Sequence, residues 1–391
     1  MSQQLFIKSD LQREWLQKLD TIKDSIVANA QQNDEEAGFP YENIRKLKEI
    51  GYPKVTLPTT YGGEGFTIYD AVLAHERLAS FDGSTALILA WSLLFVGDTF
   101  EQREYSEEAL ATIASALQEN ALFNKAVSEF AMGSPARGGK PATVAVRDGK
   151  EWLINGRKNY TTGSHALDYF VTFAWIEERQ TTGYFLVPKD ALGLSIEETW
   201  DVIAMRSTGS HDLVLNNVRL PENALIEVPQ YNTGFKLNSW LLLIPATYLG
   251  IAQAARDYAV QFATTHAPNS IQGTIAELPN IQALIGEMDL ALMRARFALY
   301  GTAEVCMDSS RKMLAPNAIN VAKHTVTNEG IAVVDKAMRI VGAKSLTRSN
   351  PLQRYYRDIR AGLHNPPMDD MTIKGLAVSA IAEFRNDSKH K

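Results

Sequence analysis

The sequence holds a single cysteine, Cys306, among its 391 residues. One thiol excludes an intrachain disulfide and any cysteine-based metal cluster. Its apolar, helix-like surroundings mark it as a buried, inert side chain rather than a nucleophile. Basic residues are also in short supply: Lys and Arg total 39 against 45 Asp and Glu, for a net charge of −6. Such a chain has no positive field to hold a nucleic-acid backbone. No stretch of about 18 apolar residues occurs, and the apolar run Trp240–Pro245 ends in a proline and reads as part of a core helix. The opening residues, MSQQLFIKSDLQREW, lack the basic-then-apolar pattern of a secretory leader. These absences predict a cytoplasmic chain with no membrane insertion, no nucleic-acid partner and no metal site. Internal repeats and low-complexity segments are missing too.

What is present is the balance of a globular enzyme, 45% hydrophobic and 21% charged. The length predicts two or three packed domains. From about Leu11 to Gln118 the apolar residues recur at helical spacing. Leu57-Pro-Thr-Thr-Tyr-Gly-Gly-Glu-Gly65 interrupts them as a turn-rich connection, and helix resumes at Ile68. After Leu122 the texture changes to short β-rich runs: 142–146, 152–154, 169–173, 184–187 and 213–215. Their spacing predicts a small antiparallel barrel or sandwich. From Gly234 the helical period returns, broken at Pro268, near Pro316 and at Pro351. The expected layout is an N-terminal helical domain over 1–121, a middle β domain over 122–229 and a C-terminal helical bundle over 230–391. A cleft where such domains meet suits a planar or elongated small-molecule ligand.

Four segments, in order, resemble the acyl-CoA dehydrogenase superfamily. They are Pro58-Thr-Thr-Tyr-Gly-Gly-Glu-Gly65, Asn155-Gly-Arg-Lys-Asn-Tyr-Thr-Thr-Gly163, Met205-Arg-Ser-Thr-Gly-Ser210 leading to Val218-Arg-Leu-Pro221, and Arg354-Tyr-Tyr-Arg-Asp358. The resemblance implies that family's fold, with a four-helix bundle at the carboxyl end, and a flavin, FAD with FMN as the alternative. An isoalloxazine ring needs an aromatic or apolar face and hydrogen bonds along its pyrimidine edge and N5. By the same resemblance, Ser128 meets the pyrimidine edge, Tyr160 packs against the ring, Thr162 carries a hydroxyl near N5, and Ser134 lies near cofactor and substrate. Each of these types is also ordinary in a strand or loop. The family further implies self-association, as a homotetramer or homodimer, through its carboxyl-terminal helices.

The sequence departs from the family at the base. Most members carry a Glu a few residues after R-D to take the α-proton of an acyl-CoA while flavin N5 receives the β-hydride; here that register holds Pro366. The other family location for the carboxylate corresponds to Asn238-Ser-Trp-Leu-Leu242, which has none. Asp369 or Asp370 is the remaining candidate base, although Asp369 equally suits a helix N-cap. The phosphate-contacting segments are altered as well, to Phe262-Ala-Thr-Thr-His266 and Gly342-Ala-Lys-Ser-Leu346. Leu363-His-Asn-Pro366 instead resembles a reduced-flavin monooxygenase branch similar to dibenzothiophene monooxygenase. There a His near flavin C4a protonates or stabilises a peroxyflavin, a task for a side chain of histidine's kind. His364 is that candidate, against the plain alternative of a helix-end histidine. The first reading is a flavin-dependent oxidoreductase acting on an acyl-CoA or related substrate with hydride transfer to flavin N5, served by an electron-transfer flavoprotein; the alternatives are a two-component monooxygenase served by a flavin reductase and a flavin-binding protein without turnover.

Overall fold

The computed structural model describes residues 3–130, 139–229 and 238–387. Helices come first: α1 (Asp10–Asp20), α2 (Lys23–Glu36), α3 (Tyr41–Glu49), α4 (Ile68–Ala79), α5 (Gly83–Gln102) and α6 (Glu107–Gln118). The strands follow as β1 (Phe123–Ala126), β2 (Val144–Asp148), β3 (Glu151–Lys158), β4 (Tyr169–Ile176), β5 (Thr181–Pro188), β6 (Leu194–Glu197), β7 (Asp212–Pro221) and β8 (Leu225–Glu227). Then come α7 (Leu243–Thr265), α8 (Pro279–Met307), α9 (Ser309–Leu314), α10 (Ala318–Val341), α11 (Pro351–Ala361) and α12 (Asp369–Asp387). The chain forms two compact units, one of residues 18–67 and 84–240, the other of residues 1–17, 68–83 and 241–391.

The first unit is organised by one sheet, in the order β6-β7-β3-β2-β4-β5-β8, with β1 beside β4. Most pairs are antiparallel, as the turn-separated runs predict. The exceptions are β1 and β2, which both pair with β4 in parallel, β1 from Tyr169 and β2 at Trp175 and Ile176. Packing against the sheet, α5 and α6 bury Phe95, Phe100, Leu110, Ile113 and Leu117 with Phe123, Val171 and Leu186. By length and composition α5 could cross a bilayer, yet 89% of its apolar window is buried inside the fold. A core helix of a globular chain has the same composition. The predicted connection 57–65 is a turn as expected. A Cβ on Gly63 would lie 2.0 Å from the Leu57 carbonyl oxygen, so the close approach admits only glycine there.

A buried ion pair fixes the centre of this unit. Lys158, at the end of β3, is fully buried and its Nζ donates to Glu129 Oε1 at 2.5 Å. Glu129 also accepts from the Ala142 amide (2.6 Å), the Thr143 amide (3.0 Å) and the Thr143 hydroxyl (2.6 Å). Burial raises the Glu129 carboxyl, but the hydrogen bonds from Lys158 and Thr143 outweigh it and hold the group below its ordinary value. Burial draws the Lys158 ammonium down to about 8, which leaves it charged at neutral pH.

The second unit is a helical bundle. α10 packs on α8 and α7, α11 closes on α7 and α10, and α4 lies on α7 and α8. Its helix starts carry the expected signals: Pro351 opens α11 behind Asn350, whose side chain accepts from the Leu352 amide, and Pro279 opens α8. Cys306 is buried in α8, as its sequence setting predicts. Glu76 and Arg296 form a second buried pair at 2.6 Å, with Tyr300 donating its phenol to the same carboxylate.

Lys158→Met leaves Glu129 buried without its cation and is expected to cost about 3–5 kcal/mol of stability, measured by thermal or urea unfolding. Because the Glu129 carboxyl is depressed on folding, its contribution is complete above the ordinary value of 4.5 and is lost as pH falls through the lower folded value. Acid unfolding of Glu129→Gln is therefore expected to lack that component; identical acid limbs for the two proteins count against the pair.

Candidate functional site

Two loops of the sheet-bearing unit, 159–164 after β3 and 205–211 before β7, are zipped together by backbone hydrogen bonds. Thr161 N donates to His211 O (3.1 Å), Gly163 N to Thr208 O (2.9 Å) and Ser164 N to Gly209 O (3.3 Å). The zip closes a run of hydroxyls: Thr162 Oγ1 lies 2.9 Å from Ser210 Oγ, which lies 2.8 Å from Thr208 Oγ1, itself donating to Met205 O at 2.9 Å. All three side chains are buried. Asn124, on β1, fixes the Thr162 carbonyl through its amide at 2.9 Å.

The loops hold unusual backbone. Tyr160 and Met205 take positive φ, 54° and 52°, a region costly for side-chain-bearing residues and common at binding sites. Gly209, at φ 53°, leaves no room for a Cβ, which would lie 2.7 Å from the Phe39 ring. Arg206 is clamped between the Asp34 carbonyl (2.7 Å) and the Val202 carbonyl (3.0 Å), so its charge anchors the second loop to the end of α2.

The sequence-predicted cofactor residues converge here in part. Ser128 joins the loops through its carbonyl, which accepts the Asn159 amide at 2.9 Å. Thr162 sits in the hydroxyl run. Tyr160 is 64% exposed and meets Trp200 edge-on, ring centroids 5.9 Å apart, so it presents an aromatic surface to solvent. Ser134 lies outside the described residues. Asn124, Thr208, Ser210, Trp200 and His211 were not singled out by the sequence, although Thr208 and Ser210 stand inside the Met205–Ser210 motif.

These residues fit a flavin. The buried Thr161 hydroxyl and Asn159 Oδ1 have no hydrogen-bond partner among the described residues, and such orphans call for a polar ligand edge. With Thr208 donating to Met205 O, the run is directed from Thr162 to Ser210 to Thr208, and the Thr162 and Ser210 oxygens keep lone pairs that can accept from a ligand. Together with the exposed Tyr160 ring they supply what a planar, heteroatom-edged ring requires.

The carboxyl-terminal candidates belong to the helical unit. His364 is exposed in the turn after α11, its amide donating to Ala361 O at 3.0 Å. Asn365 donates its side-chain amide to the phenol of Tyr248, which is fully buried and raised by that burial. Asp369 opens α12 and is already engaged: Asn328 Nδ2 donates to it at 3.0 Å, and the Nζ of fully buried Lys323 lies at 3.5 Å. A carboxylate so held completes a cation pair and a helix start.

One carboxyl elsewhere has the acidity of a general base. Asp98, on α5, is raised by burial to about 6. It faces Lys125, while Asn124, the residue before it, faces Thr162. Successive residues of a strand point to opposite faces, so Asp98 lies across β1 from the hydroxyl run.

Comparison with known proteins agrees with this anatomy. The family descriptions "Acyl-CoA dehydrogenase, N-terminal domain", "middle domain" and "C-terminal domain" match residues 10–116, 124–218 and 242–365. A Bacillus subtilis relative called "Putative acyl-CoA dehydrogenase YdbM" is 53% identical over 96% of this chain and 99% of its own. The L-evernosamine nitrososynthase of a Micromonospora species is 30% identical over 86% of this chain and 82% of its own. FMN-bound TdsC from Paenibacillus sp. A11-2, at 20% identity, shares the fold with a TM-score of 0.83, covering 92% of this chain and 95% of its own. The chain belongs to the acyl-CoA dehydrogenase family and is a flavin-dependent oxidoreductase of that type.

Proposed function

We propose that this protein is the oxygenase of a two-component system, receiving reduced flavin from a separate reductase and inserting oxygen into a small organic substrate. The observation that carries this reading is the missing base. Pro366 stands in the register of the family Glu, the alternative stretch Asn238–Leu242 holds no carboxylate, and Asp369 is held by Asn328 and Lys323. Removing an α-proton without a placed base forfeits about 10²–10⁴-fold in rate, and these three positions offer none.

Flavin, when bound, supplies the two electrons and the reactivity toward oxygen. The chain's contribution is the cradle. The zipped loops hold Thr162, Thr208 and Ser210 in one hydrogen-bonded run, so a proton at Thr162 Oγ1 is positioned by Ser210 rather than by solvent. Tyr160 and Trp200 provide an aromatic wall. By the resemblance of their segments, His364 is assigned the role of proton donor and Ser128 and Ser134 that of polar contacts to the cofactor. FMN and FAD both suit the cradle, and self-association through the carboxyl-terminal helices and a cytoplasmic setting belong to the same proposal. The acyl-CoA dehydrogenase reading is supported by the name of the 53%-identical relative, by the three family descriptions and by short-chain acyl-CoA dehydrogenases at 27% identity, and it requires a base from outside these positions.

Flavin-loaded protein mixed anaerobically with acyl-CoAs of graded chain length is expected to keep its oxidised flavin absorbance. Bleaching with any of them overturns the oxygenase reading. With a flavin reductase and air, His364→Ala is expected to slow substrate oxygenation by about 10²-fold, the low end for losing a placed acid, and so to raise the hydrogen peroxide released per reduced flavin consumed. An unchanged peroxide yield removes His364 from the chemistry.

A further inference from the structure

His211 stands at the junction of the hydroxyl run and the aromatic wall. Its ring Nδ1 faces two backbone amides, Thr199 N at 3.0 Å and Trp200 N at 3.2 Å. An amide N–H can only donate, so Nδ1 must accept, and the ring is neutral with its proton on Nε2. Protonating Nδ1 sets an N–H against two N–H groups and breaks both bonds. Those bonds seat the peptide of Trp200, whose indole Nε1 donates to Met205 O at 3.1 Å and whose ring meets Tyr160 edge-on.

The surroundings oppose a second charge. His165 packs against the His211 ring, centroids 4.8 Å apart at 66°, with Phe39 and Tyr41 behind it. Two acidic groups face the pair: Glu198, 3.9 Å from His165 Nε2, and Asp212, which is held by Arg157 at 2.7 Å and by the Thr199 hydroxyl at 2.9 Å. Burial and the neighbouring His165 together lower His211 below its ordinary 6.5, and Glu198 and Asp212 only partly offset them.

We propose that His211 is a positioning residue: its neutral imidazole, accepting the Thr199 and Trp200 amides, holds the Trp200 indole against Tyr160, and its protonation releases that wall. The inference rests on the loops being the flavin cradle and names the residue that makes the cradle depend on pH. The sign follows from linkage. Because the folded protein disfavours the proton, the arrangement is complete above pH 6.5 and is lost as pH falls through the lower folded value.

The test is flavin binding itself. FMN and FAD titrations followed by flavin fluorescence, from about pH 8 to about pH 5, are expected to show the dissociation constant rising toward tenfold per pH unit once the proton competes. In His211→Asn, whose amide oxygen can still accept but does not titrate, the dependence should flatten. In His165→Asn, which removes the like charge, it should move to higher pH. A flat wild-type profile, or an unchanged slope in His211→Asn, overturns the proposal. In wild-type protein without flavin, imidazole nitrogen NMR should find His211 in the Nε2–H tautomer at neutral pH, and acidification should shift the indole emission that Trp200→Phe removes. An Nδ1–H tautomer overturns the proposal whatever the flavin does. Absence of flavin binding at every pH counts against the cradle reading alone, since the tautomer and the indole emission decide the role of His211 in the free protein.

Discussion

The candidate site depends on one buried ion pair. Lys158 ends β3 and Glu129 follows β1, and their contact at 2.5 Å ties together the two chain segments from which the cofactor loops depart. On one side the Ser128 carbonyl takes the Asn159 amide; on the other, Tyr160 is turned into positive φ and Thr162 is delivered to Ser210. Two ions removed from water are a costly device, made tolerable because Glu129 also receives two amides and a hydroxyl. What the pair secures is geometry. Without it the hydroxyl run and the aromatic wall have no fixed origin.

The layout of helices, sheet and helices was legible in the sequence because its signals are local. The turn at 57–65, the restart at Ile68 and the proline before α11 depend on neighbouring residues only. β2, β3, β4, β5 and β7 lie where β-branched and aromatic runs predicted them. β1, β6 and β8 escaped because they are three or four residues long, too short for a period of two to stand out even in Leu-Ser-Ile-Glu of β6. β1 reads Phe-Asn-Lys-Ala, a polar stretch whose Asn and Lys are satisfied only by partners distant in sequence. The parallel pairing of β1 and β2 with β4 is equally invisible, since it depends on which edge each strand reaches.

The site was legible to a lesser degree, for the same reason. Ser128, Tyr160 and Thr162 could be named because they fall inside recognisable segments. Their partners could not: Thr162 meets Ser210 across 48 residues, and His211 acts on Thr199 and Trp200 through a ring nitrogen whose role appears only once the loops close. His364 and Asp369 were named from the carboxyl-terminal segment alone; the first lies exposed in a turn and the second accepts from Asn328, a partner 41 residues away.

Membership of the acyl-CoA dehydrogenase family therefore accounts for the fold and the flavin, while the side chains decide the reaction. On the reading proposed above, proline in the base register and a stretch without carboxylate at Asn238–Leu242 set this chain apart from α-proton abstraction. The most direct test of that separation needs no electron acceptor and no oxygen. Flavin-loaded protein is incubated with acyl-CoAs in deuterium oxide, and loss of the α-proton signal is followed by NMR. The account predicts exchange no faster than in protein-free solution. Exchange accelerated by the protein would reveal a competent base and contradict it.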